Sequence, residues 1–464
     1  MQTRTEMDSI GERQIPGETY YGIQTHRALE NFPISGIKPQ PAYVEATVQI
    51  KKAAARVNKA LGLLEAKKAD AIVRAADEIL SGKLMEWFVV DVYQAGAGTS
   101  HNMNVNEVVA NRAIEILGGR KGDYSVIHPN DHVNMSQSTN DVCPTAIRIA
   151  AVRLSQKLVR SLENLEKGFS AKAKEFDDVI KSGRTHLQDA VPIRLGQEFG
   201  AYAANIRKHS ERILFALDSN KELGIGGTAA GTGLNAHERY REMMVKELSD
   251  ELGINFRMAD NYFEAMQSLR PFVELSGAVR ALSQDLIRIA NDLRLLSSGP
   301  KTGIGEIVLP AVQPGSSIMP GKVNPVMAEM LNMVCFQVIG CDTTILLAAQ
   351  AGQLELNVMM PVVAFNLLLE IEILSNALDV FVNFCVNGIK ANEDRCEAYA
   401  EGSMSIVTVL NPLIGYEKAA EIAKEYLSSG KSVKQLVLEK GLMTKNDLDE
   451  LFALRGMTEP GIHK

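Results

Sequence analysis

The positions where proline is missing constrain this chain most. No proline lies between Pro192 and Pro271, and none between Pro361 and Pro412. Proline removes a backbone donor and clashes with the preceding turn, so it ends or kinks helices. Its absence over such lengths permits unusually long helices. The stretch from Pro144 to Phe176 is built as one: Ile147, Ala151, Leu154, Leu158, Leu162, Leu165 and Phe169 recur at three- and four-residue steps. That spacing is the apolar stripe of a helix. At 1.5 Å per residue it predicts a rod of roughly 45–50 Å. Asn140 and Asp141 are its expected caps, with Pro144 in the first turn.

"GQEFGAYAANIRKHSERILFALDSNKEL" and "ELSGAVRALSQDLIRIANDLRLLSS" read as helices in the same way. "PVMAEMLNMVCFQVIGCDTTILLAAQAG" and "PVVAFNLLLEIEILSNALDVFVNFCVNGI" are apolar on most faces, the mark of helices buried among others. Alternating strands are few, with short candidates near the N-terminus and around "GEIVLP". Without βαβ alternation, a parallel α/β sheet is not expected. The prediction is an all-α protein in three parts. A loop-rich N-terminal region spans 1–139, a central bundle of long helices spans 140–390, and a small C-terminal helical region spans 391–464.

A formal charge of −7 on 464 residues lacks the basic excess of a nucleic-acid partner. No run of about 18 uncharged apolar residues appears, so no membrane span is expected. The polar N-terminus lacks the apolar core of a signal peptide. Five cysteines, an odd count without a C-x-x-C pair, read as reduced, buried thiols of a cytoplasmic protein.

Five stretches between the expected helices concentrate glycine, hydroxyl and amide residues. They are "GAGTSHNMN", "HPNDHVNMSQSTND", "SGRTHLQDA", "GGTAAGTGLN" and "GSSIMPGKVNP". Turn chemistry explains any one of them, but explains five compact donor sets poorly. His128 and His132 stand four apart, yet Pro129-Asn130-Asp131 between them disfavours a ligating helix, so no metal site is expected. Gly224, Gly226 and Ala229 loosely match a dinucleotide fingerprint that requires a strand before it, where helix is expected. Gly321-Lys322 is followed by valine, so it is no P-loop. What remains is an anion site. Lys322 and Asn324 offer charge and an amide to a carboxylate. The glycines beside Ser316 and Ser317 let backbone N–H groups come close enough to stabilise an alkoxide or oxyanion.

"GSSIMPGKVNP" resembles the signature loop of the fumarase/aspartase superfamily. "GAGTSHNMNVNEVVANRA", "HPNDHVNMSQSTNDVCPTA", "GRTHLQDAVPIRLGQEF", "GGTAAGTGLN" and "ANDLRLLSSGP" resemble its other blocks in order, over essentially the whole chain. The resemblance implies three largely helical domains and a homotetramer whose central helices form a twenty-helix core. It also implies active sites drawn from three subunits, with no organic cofactor. "YYGIQTHRALENFPIS", "DVYQAGAGTS", "QSTND" and "AGQLELNVM" resemble the aspartase branch, which interconverts L-aspartate with fumarate and ammonia. "NYFEAMQ" resembles class II fumarases, and Met360 stands where aspartases usually carry glutamate. Fumarase is therefore the alternative.

Carried across, Ser316 resembles the base that takes a proton from the carbon beside the substrate's β-carboxylate. Loss of that proton gives an aci-carboxylate. Thr99, Ser138, Thr139 and the Ser317 backbone match its donors. Thr185, Lys322 and Asn324 match the α-carboxylate site. Asn140 and His186 match the residues facing the amino group, and Glu329 the glutamate paired with that histidine. "HPND" resembles a second anion site of fumarases. Some superfamily members serve as eye-lens structural proteins; intact Ser316, Lys322 and His186 argue against that role here.

Overall fold

A computed structural model describes residues 3–452 and 455–461. Among these, seven helices have eighteen residues or more. They are α1 (Pro41–Ala60), α2 (Thr99–Ile116), α3 (Thr139–Glu175), α4 (Leu195–Asp218), α5 (Arg270–Leu296), α6 (Val326–Gln350) and α7 (Met360–Phe384). The strands are short and paired in twos: β1 (Thr3–Asp8) with β2 (Gly11–Pro16), β3 (Ile180–Thr185) with β4 (Gln188–Arg194), β5 (Glu222–Leu223) with β6 (Arg257–Met258), and β7 (Ile307–Val308) with β8 (Lys390–Ala391). The fold is mostly helical, as the proline gaps and apolar stripes predict.

The chain divides into two compact units. One comprises the described parts of Met1–Arg160, Glu211–Ser283 and Cys335–Ser375. The other comprises Ser161–Ser210, Gln284–Val334 and the described parts of Asn376–Lys464. The first holds a continuous apolar cluster from Ile15 to Val133. The second holds a separate cluster from Ile406 to Phe452.

The expected stripe of α3 is fully buried at Ile147, Ala151, Leu158, Leu162, Leu165 and Phe169, while Leu154 is half-buried. The helix starts earlier than its expected caps. Ser138 is the cap: its Oγ accepts from Asn140 N, and the Asp141 carboxylate reaches back to Ser138 N at 2.9 Å. This reciprocal pair satisfies two otherwise orphaned donors, and it leaves Pro144 inside the helix.

Three further expectations change. "GAGTSHNMN" is only partly loop, because α2 begins at Thr99. "SGRTHLQDA" is a hairpin rather than an inter-helix loop, with Thr185 opposite Gln188 and His186-Leu187 as its two-residue tip. Both tip residues have positive φ, 54° and 59°. Such tips suit the strand twist but favour Asn or Gly, which is why the sequence gives no hairpin signal here. A strand does precede Gly224, but β5 is two residues long, and the glycine turn leads into irregular chain until Tyr240, not into a helix. The dinucleotide reading still fails.

The apolar helices are less enclosed in one chain than expected. On α6, Met333, Phe336, Leu346 and Leu347 are 53–63% exposed. By length and composition α6, and α7 extended to Gly388, could each cross a membrane, which the count of uncharged residues missed. Both carry carboxylates near mid-length: Asp342 pairs with Arg280 at 2.7 Å, and Glu370 is fully buried. Those are features of bundle helices in a protein core.

Candidate active site

The sequence-selected residues gather in two groups, each within one unit. In the first, Thr99 opens α2 and is exposed, while Ser138, Thr139 and Asn140 open α3 and are half-buried. Gly98, at φ 89°, makes the turn into α2; a Cβ there would meet Cys143 Sγ at 2.7 Å. Asn140 Nδ2 donates to Ala229 O at 2.8 Å, joining "QSTND" to "GGTAAGTGLN". The N-terminus of a 37-residue helix thus presents two hydroxyls at its positive end, which favours a bound anion.

Asp141 sits beneath this end. Its carboxylate accepts from Gly226 N (2.9 Å), Thr228 N (3.0 Å) and Ser138 N (2.9 Å). Burial still pushes it up to about 6 against those donors. Lys51, on α1, is fully buried and donates to Asn102 Oδ1 (2.7 Å), Asn134 Oδ1 (2.9 Å) and Gln137 Oε1 (2.9 Å). Asn102 Nδ2 in turn donates to Thr139 Oγ1 at 3.3 Å.

In the second group Thr185 and His186 are exposed at the β3–β4 tip. Ser316 is half-buried, and Ser317 and Lys322 are exposed. The Ser316 oxygen accepts from the N–H groups of Met319 (3.0 Å) and Ile318 (3.3 Å). Both donors polarise the hydroxyl toward its ionised form. Asn324 Nδ2 ties the loop closed on Gly315 O at 2.6 Å, a bond the sequence reading did not assign it. A Cβ at Gly315 would meet Lys322 O at 2.2 Å, so glycine is required there for close approach of the two loop arms. Within this chain no hydrogen bond or ion pair joins His186 to Glu329 among the described residues.

Behind the hairpin, Lys181 Nζ meets Glu198 Oε1 (2.9 Å) and Glu306 Oε2 (2.8 Å), and Arg184 Nη1 meets Glu306 Oε1 (2.8 Å). This buried network anchors the strand that ends in Thr185. The sequence reading missed it, along with Lys51, and took Asp141 only as a helix cap. Two signals were legible: Ser138-x-x-Asp141 has capping-box spacing, and Lys51 falls on the apolar face of Val44, Val48 and Ala55.

In the "HPND" stretch Pro129–Val133 form a single turn, and His132 Nδ1 accepts from His128 N at 2.8 Å. No cluster of three or more metal-ligating residues occurs among the described residues. All five cysteines are buried and free.

A family model described as "Lyase" matches residues 11–340. The chain belongs to this lyase family. A second model, "Fumarase C C-terminus", matches residues 406–459. The aspartate ammonia-lyase of Bacillus subtilis (strain 168) is 52% identical over 459 residues, covering 99% of this chain and 97% of that protein. That of Helicobacter pylori (strain ATCC 700392 / 26695) is 50% identical, covering 99% of each. Among solved structures, a fumarate lyase:delta crystallin from Brucella melitensis bound to cobalt aligns with TM-score 0.96 and 51% identity, over 99% of this chain and all of that one. A class II fumarase from Schistosoma mansoni aligns with TM-score 0.94 and 38% identity, over 98% and 99% of the two chains. These two structures share the chain's helical frame over nearly its whole length.

Proposed function

We propose that this lyase is an aspartate ammonia-lyase, which reversibly eliminates ammonia from L-aspartate to give fumarate. The observation that carries the mechanism is the pair of N–H groups on the Ser316 oxygen. A free serine is a very poor base at neutral pH; donors aimed at its oxygen stabilise the alkoxide that removes the proton. The electrons then rest on the β-carboxylate as an aci-carboxylate. Thr99, Ser138, Thr139 and the Ser317 backbone hold that group, with the positive end of α3 behind it. Thr185, Lys322 and Asn324 hold the α-carboxylate. Asn140 and His186 face the amino group, with Glu329 supporting the histidine, and ammonia leaves from the opposite side. No cofactor is needed.

The two groups of residues become one site in a homotetramer in which three subunits share each centre. The exposed apolar residues of α6 support this, because a single chain leaves them in water. The same assembly makes the long helices of residues 140–390 the core, flanked by 1–139 and 391–464, each of which carries an apolar cluster of its own. The five buried, free cysteines are in keeping with a cytoplasmic place for the enzyme.

The second reading, class II fumarase, has the Schistosoma mansoni alignment and "NYFEAMQ" in its favour. One experiment separates them: supply purified protein with fumarate plus ammonia, then fumarate alone, and identify the product. Aspartate only in the first establishes the ammonia-lyase; malate in the second establishes the fumarase. Ser316→Ala tests the base. It should abolish exchange of the substrate's β-carbon hydrogen with deuterated water while a competitive dicarboxylate still binds. Exchange at the wild-type rate would move the role to another residue.

A further inference from the structure

Lys51 stands out as a fully buried cation whose acceptors are all neutral. No carboxylate lies within ion-pair reach of it among the described residues, and three amide oxygens take its three hydrogens at 2.7–2.9 Å. Each amide is committed in turn. Gln137 Nε2 donates to Val133 O and Met135 O, and Asn134 Nδ2 to Gln137 O. Asn102 Nδ2 donates to Asn134 Oδ1 and to Thr139 Oγ1. An amide has one acceptor end and one donor end. An ammonium at 2.7 Å repels the donor end, so Lys51 fixes which way Asn102 faces.

That orientation passes to the hydroxyl. Thr139 Oγ1 already accepts a hydrogen from Asn102, and no protein acceptor takes Thr139's own hydrogen among the described residues. Its O–H is left pointing away from the amide, toward whatever binds at the N-terminus of α3. We propose that Lys51 is a positioning residue for the elimination. Through Asn102 it orders the Thr139 hydroxyl as a donor to the substrate's β-carboxylate, and its buried charge favours the second negative charge developing there. This rests on the ammonia-lyase reading and adds a residue and a direction of hydrogen bonding to it.

The charged and titratable groups facing Lys51 are few. Asp141 and Cys143 on α3 act on it electrostatically, and it acts on His101 of α2. Burial draws the lysine down to about 7, pushes Asp141 up to about 6 and Cys143 up to about 11, and draws His101 down to about 3. A dicarboxylate bound against Thr139 favours the charged lysine. Near pH 8, above the Lys51 value and well below that of Cys143, ligand binding should therefore be accompanied by proton uptake at Lys51.

The test uses the full-length assembled protein. Lys51→Met should lower kcat about 10–100-fold, with KM within about threefold because the interaction is used mainly in the transition state. Asn102→Asp is nearly isosteric, keeps a partner for Lys51 and cannot donate to Thr139; it should show the same split. Succinate binding measured by calorimetry at about pH 8, in buffers of different ionisation enthalpy, should show proton uptake by the wild type. Unchanged kcat in either folded variant overturns the proposal. If neither variant folds, absence of proton uptake by the wild type overturns it. Failure of the ammonia-lyase reading looks different, because the wild type would then make no aspartate at all.

Discussion

Lys51 and Lys181 are buried to the same degree, at 0% and 1% exposure, yet their charges are compensated in different ways. Lys181 lies among charges: Glu198 and Glu306 on one side of the ledger, with Arg184 sharing Glu306. Two cations meet two carboxylates, and the strand to Thr185 is pinned by the result. Lys51 is hydrogen-bonded to amide oxygens alone and, when protonated, carries its charge near Thr139 without an ion-pair partner. A paired charge fixes position and contributes little field at a distance. An amide-solvated charge costs more to bury and leaves a field that a bound anion can use. The same residue type thus serves as an anchor in one unit and as a source of potential in the other.

The largest expected effect tests the anchor. Lys181→Met leaves Glu198 and Glu306 short of a counter-charge, and breaking a buried pair this way costs about 3–5 kcal/mol. Urea unfolding should show the loss, and Glu306→Gln should also destabilise by leaving excess positive charge. A Lys181→Met protein as stable as wild type would erase the contrast. Lys51→Met should cost less, about 1–3 kcal/mol, because it strands amide oxygens instead of a charge. If it proves the more damaging change in urea, Lys51 is the structural lysine and the comparison inverts.

The third prediction sharpens the contrast through pH. The folded-state value of Lys51, about 7, lies below the ordinary lysine value of 10.5. Between those values the unfolded chain binds more protons at this site, so stability rises with pH, at up to about 1.4 kcal/mol per pH unit. Below the folded value both states are protonated and the burial cost is present in full. The stability of wild type relative to Lys51→Met should therefore grow as pH rises from about 7 toward about 10. A flat difference across that window would mean that the ammonium is less desolvated than its burial implies. The smallest effect concerns what Lys181 anchors. Leu187 is 69% exposed with φ 59°, so Leu187→Asn should stabilise the fold by no more than about 1 kcal/mol, seen as a small rise in the thermal midpoint.

The parts of this molecule that repeat were legible in sequence. The α3 stripe came through because six of its seven apolar positions answer one buried face, and proline gaps left room for α4 and α7. The parts set by single contacts were not. The β3–β4 hairpin was hidden because His186-Leu187 occupies a turn that normally announces itself with Asn or Gly. Ser138 was passed over as the cap of α3 because Asn140 and Asp141 are equally good capping types, and only the reciprocal bond from Asp141 distinguishes them. The residues around Ser316 could be proposed from the loop's composition. The two N–H groups on its oxygen depend on backbone direction, which composition does not encode.

The mid-helix carboxylates of α6 and α7 bear on how the chain is handled while it is being made. Emerging from the ribosome, each helix offers an apolar window of the length that insertion machinery samples. A charged residue at the centre of such a segment weighs about 2.5–3.5 kcal/mol against insertion. Asp342 and Glu370 stand near those centres. Replacing Glu370 with leucine would remove a buried carboxylate from the folded core, yet the nascent segment would become easier to divert into a lipid bilayer. A residue that costs stability in the finished protein would thus weigh, earlier, against insertion of its helix into a bilayer.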